Sequence, residues 1–185
     1  MRKITIAVLA AAFAAAFNLH AAELAGVSMP DTVQVGGTTL VLNGVGLRTK
    51  FMVKVYVPGL YLAQKSSDAD AIMKAEAPKR IVMQFVRSVS KNQIGDAFSE
   101  SFHDNTPDAE KTMRADIDRL LGALEPVKEG DQMVFTYVPG SGTTLAINGR
   151  EKLTIPGPSF GQVMFSVWLG PKPPTAALRK GLLGQ

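Results

Sequence analysis

Glycine- and proline-bearing turn signals cut this chain into runs so short that most of them can only be strands or brief helices. Gly36-Gly37, Asn43-Gly44, Gly46 and Pro58-Gly59 punctuate the first half, with β-branched or apolar runs between them. The runs Thr32–Val35, Thr38–Asn43, Phe51–Val57 and Leu60–Ala63 therefore predict strands, and "KRIVMQFVRSV", from Lys79 to Val89, predicts another. Strands resume at Asp131–Val138 and in "TTLAINGREKLTI", where Asn148-Gly149 between two alternating runs is the strongest hairpin signal in the chain.

Between these strand blocks the period changes from two to about 3.6. Ile94, Ala97, Phe98, Ser101 and Phe102 share one face of a helix over Asn92–Phe102. A second helix is expected from Thr106 as cap and Pro107 as first helical residue through Glu125, with Ala109, Met113, Ile117, Leu120, Leu121 and Leu124 as its apolar stripe. Short helices over Phe160–Leu169 and Thr175–Leu183 close the chain. An antiparallel sheet with helices grouped between strand blocks is an α+β architecture.

The first residues stand apart. Arg2 and Lys3, the uncharged run Ile4–Phe17 and the small pair Ala21-Ala22 have the three parts of a secretory signal. The apolar run falls short of the ~18 residues a bilayer span needs. Residues 1–21 are expected to be removed near Ala21, which leaves 22–185 as one periplasmic or secreted domain with no membrane span. That domain contains no cysteine, so a lipid-modified N-terminus and disulfides are both excluded and the core alone must stabilise it. Losing Arg2 and Lys3 takes the formal charge from +4 to +2, with the remaining cations dispersed. Nucleic acid is not an expected partner.

Several chemistries drop out. His103 is the one histidine outside the signal, so metal sites of the cysteine/histidine kind are not expected. "GPSFG" at Gly157–Gly161 matches the G-x-S-x-G elbow, but no Asp, Glu or His follows it to complete a triad, and Ser159 reads as a helix N-cap. "VPGSGTT" lacks the lysine of a phosphate loop and reads as a hairpin tip.

What remains is Arg48. On a straight strand Arg48, Lys50, Met52, Lys54 and Tyr56 would share one face, while Phe51, Val53, Val55 and Val57 would form the core face. The charged face is either solvated or the wall of a cleft in which Arg48 and the Tyr56 hydroxyl donate to an anion. Eight extended residues span about 26 Å, so the two meet only if the chain doubles back between them.

The stretches "LNGVGLRTKFMVKVYVPGLYL", "RIVMQFVRSVSKNQIGDAFSESF", "TLAINGREKLTIPGPSF" and "FSVWLGPKPPTAALRKGLLG" resemble the bacterial exported branch of the chalcone isomerase-like superfamily. That resemblance implies an open-faced β-sandwich: a large antiparallel sheet covered on one face by helices, with a ligand cleft between them. It implies an arginine matching Arg48 facing the cleft, a tyrosine matching Tyr56 that helps to hold a fatty-acid carboxylate, and no cofactor. Ile94, Ser101 and Phe85 stand where the plant isomerases carry a catalytic tyrosine, an asparagine and a lysine. The expected function is a non-catalytic binder of a small amphipathic anion such as a fatty acid, whose tail would lie among Phe98, Phe102, Ile117, Leu121, Phe160, Met164 and Trp168. The alternatives are a chalcone–flavanone isomerase working through Arg48 alone and a structural or interaction protein of the envelope.

Overall fold

A computed structural model describes residues 22–185, so the expected signal segment lies outside the described residues. The chain opens with a small hairpin, β1 (Ala22–Leu24) and β2 (Val27–Met29), and a second one, β3 (Thr32–Val35) and β4 (Thr38–Val45). Next come β5 (Arg48–Lys50), β6 (Val53–Leu62), the short helix α1 (Ala69–Lys74) and β7 (Lys79–Phe85). The helical middle is α2 (Lys91–Asn105), α3 (Pro107–Thr112) and α4 (Arg114–Ala123). Strands β8 (Gln132–Val138), β9 (Gly142–Ile147) and β10 (Arg150–Ile155) precede α5 (Pro158–Leu169) and α6 (Ala176–Leu182).

The main sheet runs β10-β9-β8-β7-β6-β4-β3, every neighbour antiparallel, with β5 added beside β6. This is the α+β arrangement the strand and helix blocks predict, in the open form with helices on one face that the family resemblance implied. Alternation along β6 to β8 sorts the side chains: Leu60, Ile81, Met83, Phe85, Met133 and Phe135 face the helices and bury Phe98, Phe102, Phe165 and Trp168. The other face carries Val57, Tyr61 and Val82, and the β1–β2 hairpin lays Val27 and Met29 over them. Burial of each large side chain contributes about 1.5–3 kcal/mol.

Several expectations shift on folding. The Pro58-Gly59 pair is no turn: β6 passes through it as one strand of ten residues. Pro58 is tolerated because its carbonyl, and so its nitrogen, faces the junction where β6 exchanges β5 for β4 as neighbour; the carbonyl accepts from Gly46 N–H at 3.0 Å. Asn43-Gly44 is likewise inside β4, at a register shift. Phe51 and Val53, expected in the core, are 89% and 43% exposed, because the chain doubles back at Phe51-Met52 instead of running straight. The single helix expected from Thr106 breaks at Met113, where Thr112 bonds back to the Asp108 carbonyl. Thr106 occupies the cap position of α3 but donates to the Phe102 carbonyl instead of capping, and Gly157, not Ser159, is the N-cap residue of α5.

One buried cation holds the helix side together. Lys79 Nζ donates to the carbonyls of Ile72, Met73 and Ala75 at 2.8–3.1 Å, closing the C-terminus of α1. It also lies over the Tyr137 ring, whose hydroxyl donates to Glu76 at 2.7 Å. Burial pulls the Lys79 pKa down to about 8, and the Glu76 carboxylate opposes that. Between 8 and the unfolded value of 10.5 the unfolded chain binds more protons than the native one, so this contribution is complete above 10.5 and is lost as pH falls through 8. Wild type should therefore gain stability relative to Lys79→Met as pH is raised across that window, read from urea midpoints of both proteins at each pH.

Candidate functional site

Arg48 opens β5 and Tyr56 lies directly opposite it on β6, so the two-residue reversal at Phe51-Met52 brings onto one rung a pair that an extended chain would separate. Phe51 and Met52 hold φ of 49° and 64°, the double left-handed geometry of the tightest hairpin turns. That geometry costs a non-glycine residue about 1 kcal/mol or more.

Arg48 and Tyr56 face a cleft of about 610 Å³. One wall is the sheet, with Val53, Val55, Met83 and Phe85. The opposite wall is α2, with Ile94, Ala97, Phe98 and Ser101, and the end is closed by Val167 and the Lys172–Pro174 segment after α5. Helix α2 presents that wall because it is firmly started: Ser90 and Gln93 form a reciprocal capping box, a pattern readable as S-x-x-Q in the sequence.

The Arg48 guanidinium is half-buried, and its Nη1 donates to the Pro174 carbonyl at 2.7 Å and to the Thr49 carbonyl at 3.0 Å. Among the described residues no carboxylate pairs with it and no acceptor takes its remaining N–H groups. Two neutral carbonyls thus aim the cation without pairing its charge.

Tyr56 is buried against Phe85, ring centroids 5.5 Å apart. Its hydroxyl oxygen accepts the Trp168 indole N–H at 3.2 Å. Since an indole N–H can only donate, the phenol keeps its own hydrogen for another acceptor, and none of the described residues supplies one. Burial raises the Tyr56 pKa, outweighing the lowering by the Trp168 bond and by Arg48, so the phenol stays protonated and a donor at neutral pH.

The cleft does not use the tail residues expected from the sequence. Of that set only Phe98 lines it; Phe102, Ile117, Phe160, Met164 and Trp168 are packed in the core, and Leu121 is half-buried against it. The spacing of those residues marks the buried faces of their helices, and spacing alone does not separate core from cleft. Trp168 acts instead through its N–H, and Pro174 through a backbone carbonyl that has no sequence signature. His103 sits at the surface beside Glu110, 3.1 Å away. Among the described residues no cluster of three or more His, Cys, Asp or Glu is placed to hold a metal, and no helix is long and apolar enough to cross a membrane.

Phe85, Ile94 and Ser101, the positions expected from the sequence to match polar groups of the plant isomerases, all line the cleft. Ile94 and Phe85 present hydrocarbon to the cleft, and the backbone carbonyl and hydroxyl of Ser101 both accept from Asn105 Nδ2.

A family model described as chalcone isomerase-like matches residues 21–184. Among solved structures, a fatty-acid binding protein of Arabidopsis thaliana superimposes with a TM-score of 0.67 at 17% identity, covering 85% of this chain and 92% of that one. No curated protein sequence matches the chain.

Proposed function

The chain belongs to the chalcone isomerase-like family, and from that premise we propose that it binds a small amphipathic monoanion of the fatty-acid kind and does not transform it. The observation that carries this reading is the pair of unspent donors on one rung: the N–H groups of Arg48, which forms no ion pair among the described residues, and the retained O–H of Tyr56, both facing a cleft whose apolar wall includes Val55, Met83, Phe85 and Ile94 and whose lining also carries polar side chains. A carboxylate has the charge and the paired lone pairs to take both, and the hydrocarbon of Val55, Met83, Phe85 and Ile94 suits a tail. The likeness to the Arabidopsis thaliana fatty-acid binding protein supports the same chemistry.

In this reading the ligand is held and not turned over, because Phe85 and Ile94 bring hydrocarbon to the cleft at positions expected to match polar catalytic groups of the plant isomerases. In this proposal the protein works after export, on the strength of the basic, apolar and small-residue segments that precede residue 22.

The deciding measurement is calorimetric titration of delipidated protein with dodecanoate, its methyl ester and the matching alcohol. The carboxylate should bind at least ~10-fold more tightly than either neutral analogue. Equal affinity for the ester would overturn the anion site, and accelerated loss of chalcone absorbance would overturn the non-catalytic half.

A further inference from the structure

Three hairpins in this sheet use the same two-residue reversal with positive φ at both central residues, and at β3–β4 it is built from Gly36-Gly37, for which that geometry is free of strain. At β9–β10 it is built from Asn148-Gly149, the pair the backbone favours there. At β5–β6 it is built from Phe51-Met52, which oppose that geometry and project an aromatic ring and a thioether almost wholly into solvent, with the partly exposed Val53 beside them. Backbone strain kept at a position with no packing to gain points to a use for the side chains. Lys50 and Lys54 flank the tip, both exposed and, among the described residues, neither in an ion pair. Lys50, Phe51 and Val53 also line the cleft that holds Arg48.

We propose that this tip is a lipid-docking wedge, which inserts Phe51 and Met52 into the interfacial layer of an anionic bilayer while Lys50 and Lys54 meet the headgroups. The charge pattern and the shape both favour this occupant. Apolar side chains at the apex with long cations just behind them match the depth profile of a bilayer interface, where lysines reach back to the phosphates. A convex two-residue knob offers far less than the roughly 800 Å² per partner of a stable protein interface, whereas a bilayer needs no matching socket. Acids set the orientation: Asp96 and Glu100 on α2 line the opposite wall, and Asp104 there pairs with Lys172 at 3.2 Å. Lys172 offsets Asp104 and Arg87 adds a further cation to the cleft lining, so Asp96 and Glu100 are the acids that anionic headgroups repel, while the hairpin side is drawn to those headgroups. Docked in this way, the cleft opens next to the phase in which an amphipathic anion dissolves; that last consequence rests on the proposed ligand, while docking itself does not.

The experiment is flotation of the mature chain, with no ligand added, on phosphatidylcholine vesicles with and without phosphatidylglycerol. Wild type should float with the anionic vesicles, and less so as salt is raised. The double variant Phe51→Asn/Met52→Gly supplies the residues the turn prefers, so its thermal midpoint should rise by about 2–4 °C while its vesicle binding falls ~10-fold or more. Lys50→Gln/Lys54→Gln should lose the preference for phosphatidylglycerol. Undiminished binding by the Asn-Gly variant, failure of wild type to float with either vesicle, or a concentration-dependent dimer abolished by the Asn-Gly change in place of flotation would each overturn the proposal. Because ligand titration is a separate readout, loss of one leaves the other standing.

Discussion

Gly44→Ala is expected to cost about 3 kcal/mol of stability. A methyl group there would come within 2.1 Å of the Gly181 carbonyl oxygen and 2.9 Å of the Leu182 carbonyl oxygen. Across the same contact, a Cβ on Gly181 would meet the Val45 carbonyl at 2.3 Å, and one on Gly46 the Leu178 carbonyl at 2.7 Å. The end of β4 and helix α6 therefore touch backbone to backbone, and neither can yield by a rotamer change. Asn43 fixes the same junction, donating to Leu182 and Ser66 carbonyls at 2.7 and 2.9 Å and accepting the Ser66 N–H at 2.8 Å. The contrasting substitution is Gly95→Ala in α2, where a Cβ meets nothing within 4 Å and helix propensity should add about 0.5–1 kcal/mol. Urea denaturation of both variants gives the test: equal and small effects would mean that the junction yields. The proposed binding site is linked to this junction, because Pro174, whose carbonyl aims Arg48, lies just before α6.

Arg48→Met should weaken binding of the proposed carboxylate ligand by about 2–4 kcal/mol, between roughly thirtyfold and a thousandfold. Its effect on folding should be only about 1 kcal/mol, since the guanidinium is half-buried and bonds to two neutral carbonyls. Arg48→Lys should recover little, because a single ammonium cannot hold the Pro174 carbonyl and present a two-pronged face to the anion together. The split between the two readouts makes the result informative. Affinity retained in Arg48→Met, or affinity lost only in proportion to unfolding, would remove Arg48 from the binding site.

Arg48 also shows where reading the chain stops. Its residue type and its place beside a glycine-rich stretch singled it out, and the possibility of meeting Tyr56 was conditional on a reversal that no turn signal announced. Phe51-Met52 is among the least turn-like dipeptides available, so the alternation pattern continued through it and assigned Phe51 and Val53 to a core they do not enter. The opposite error arose at Asn43-Gly44 and Pro58-Gly59, whose letters suit turns but which serve a register shift and a change of neighbour inside long strands.

The sequence by itself determined the elements whose causes are local: the alternating strands, the α2 stripe of Ile94, Phe98 and Phe102, the Asn148-Gly149 hairpin and the grouping of helices between strand blocks. These follow from propensities and periodicities set within one turn or one rung of the chain. Only the tertiary structure decided which glycines are contacts, which apolar side chains line a cleft and which donors remain unspent. Each of these depends on groups far apart in sequence, such as Arg48 and Pro174 across 126 residues or Asn43 and Leu182 across 139, and a polar group's partners are known only when the whole chain has packed around it.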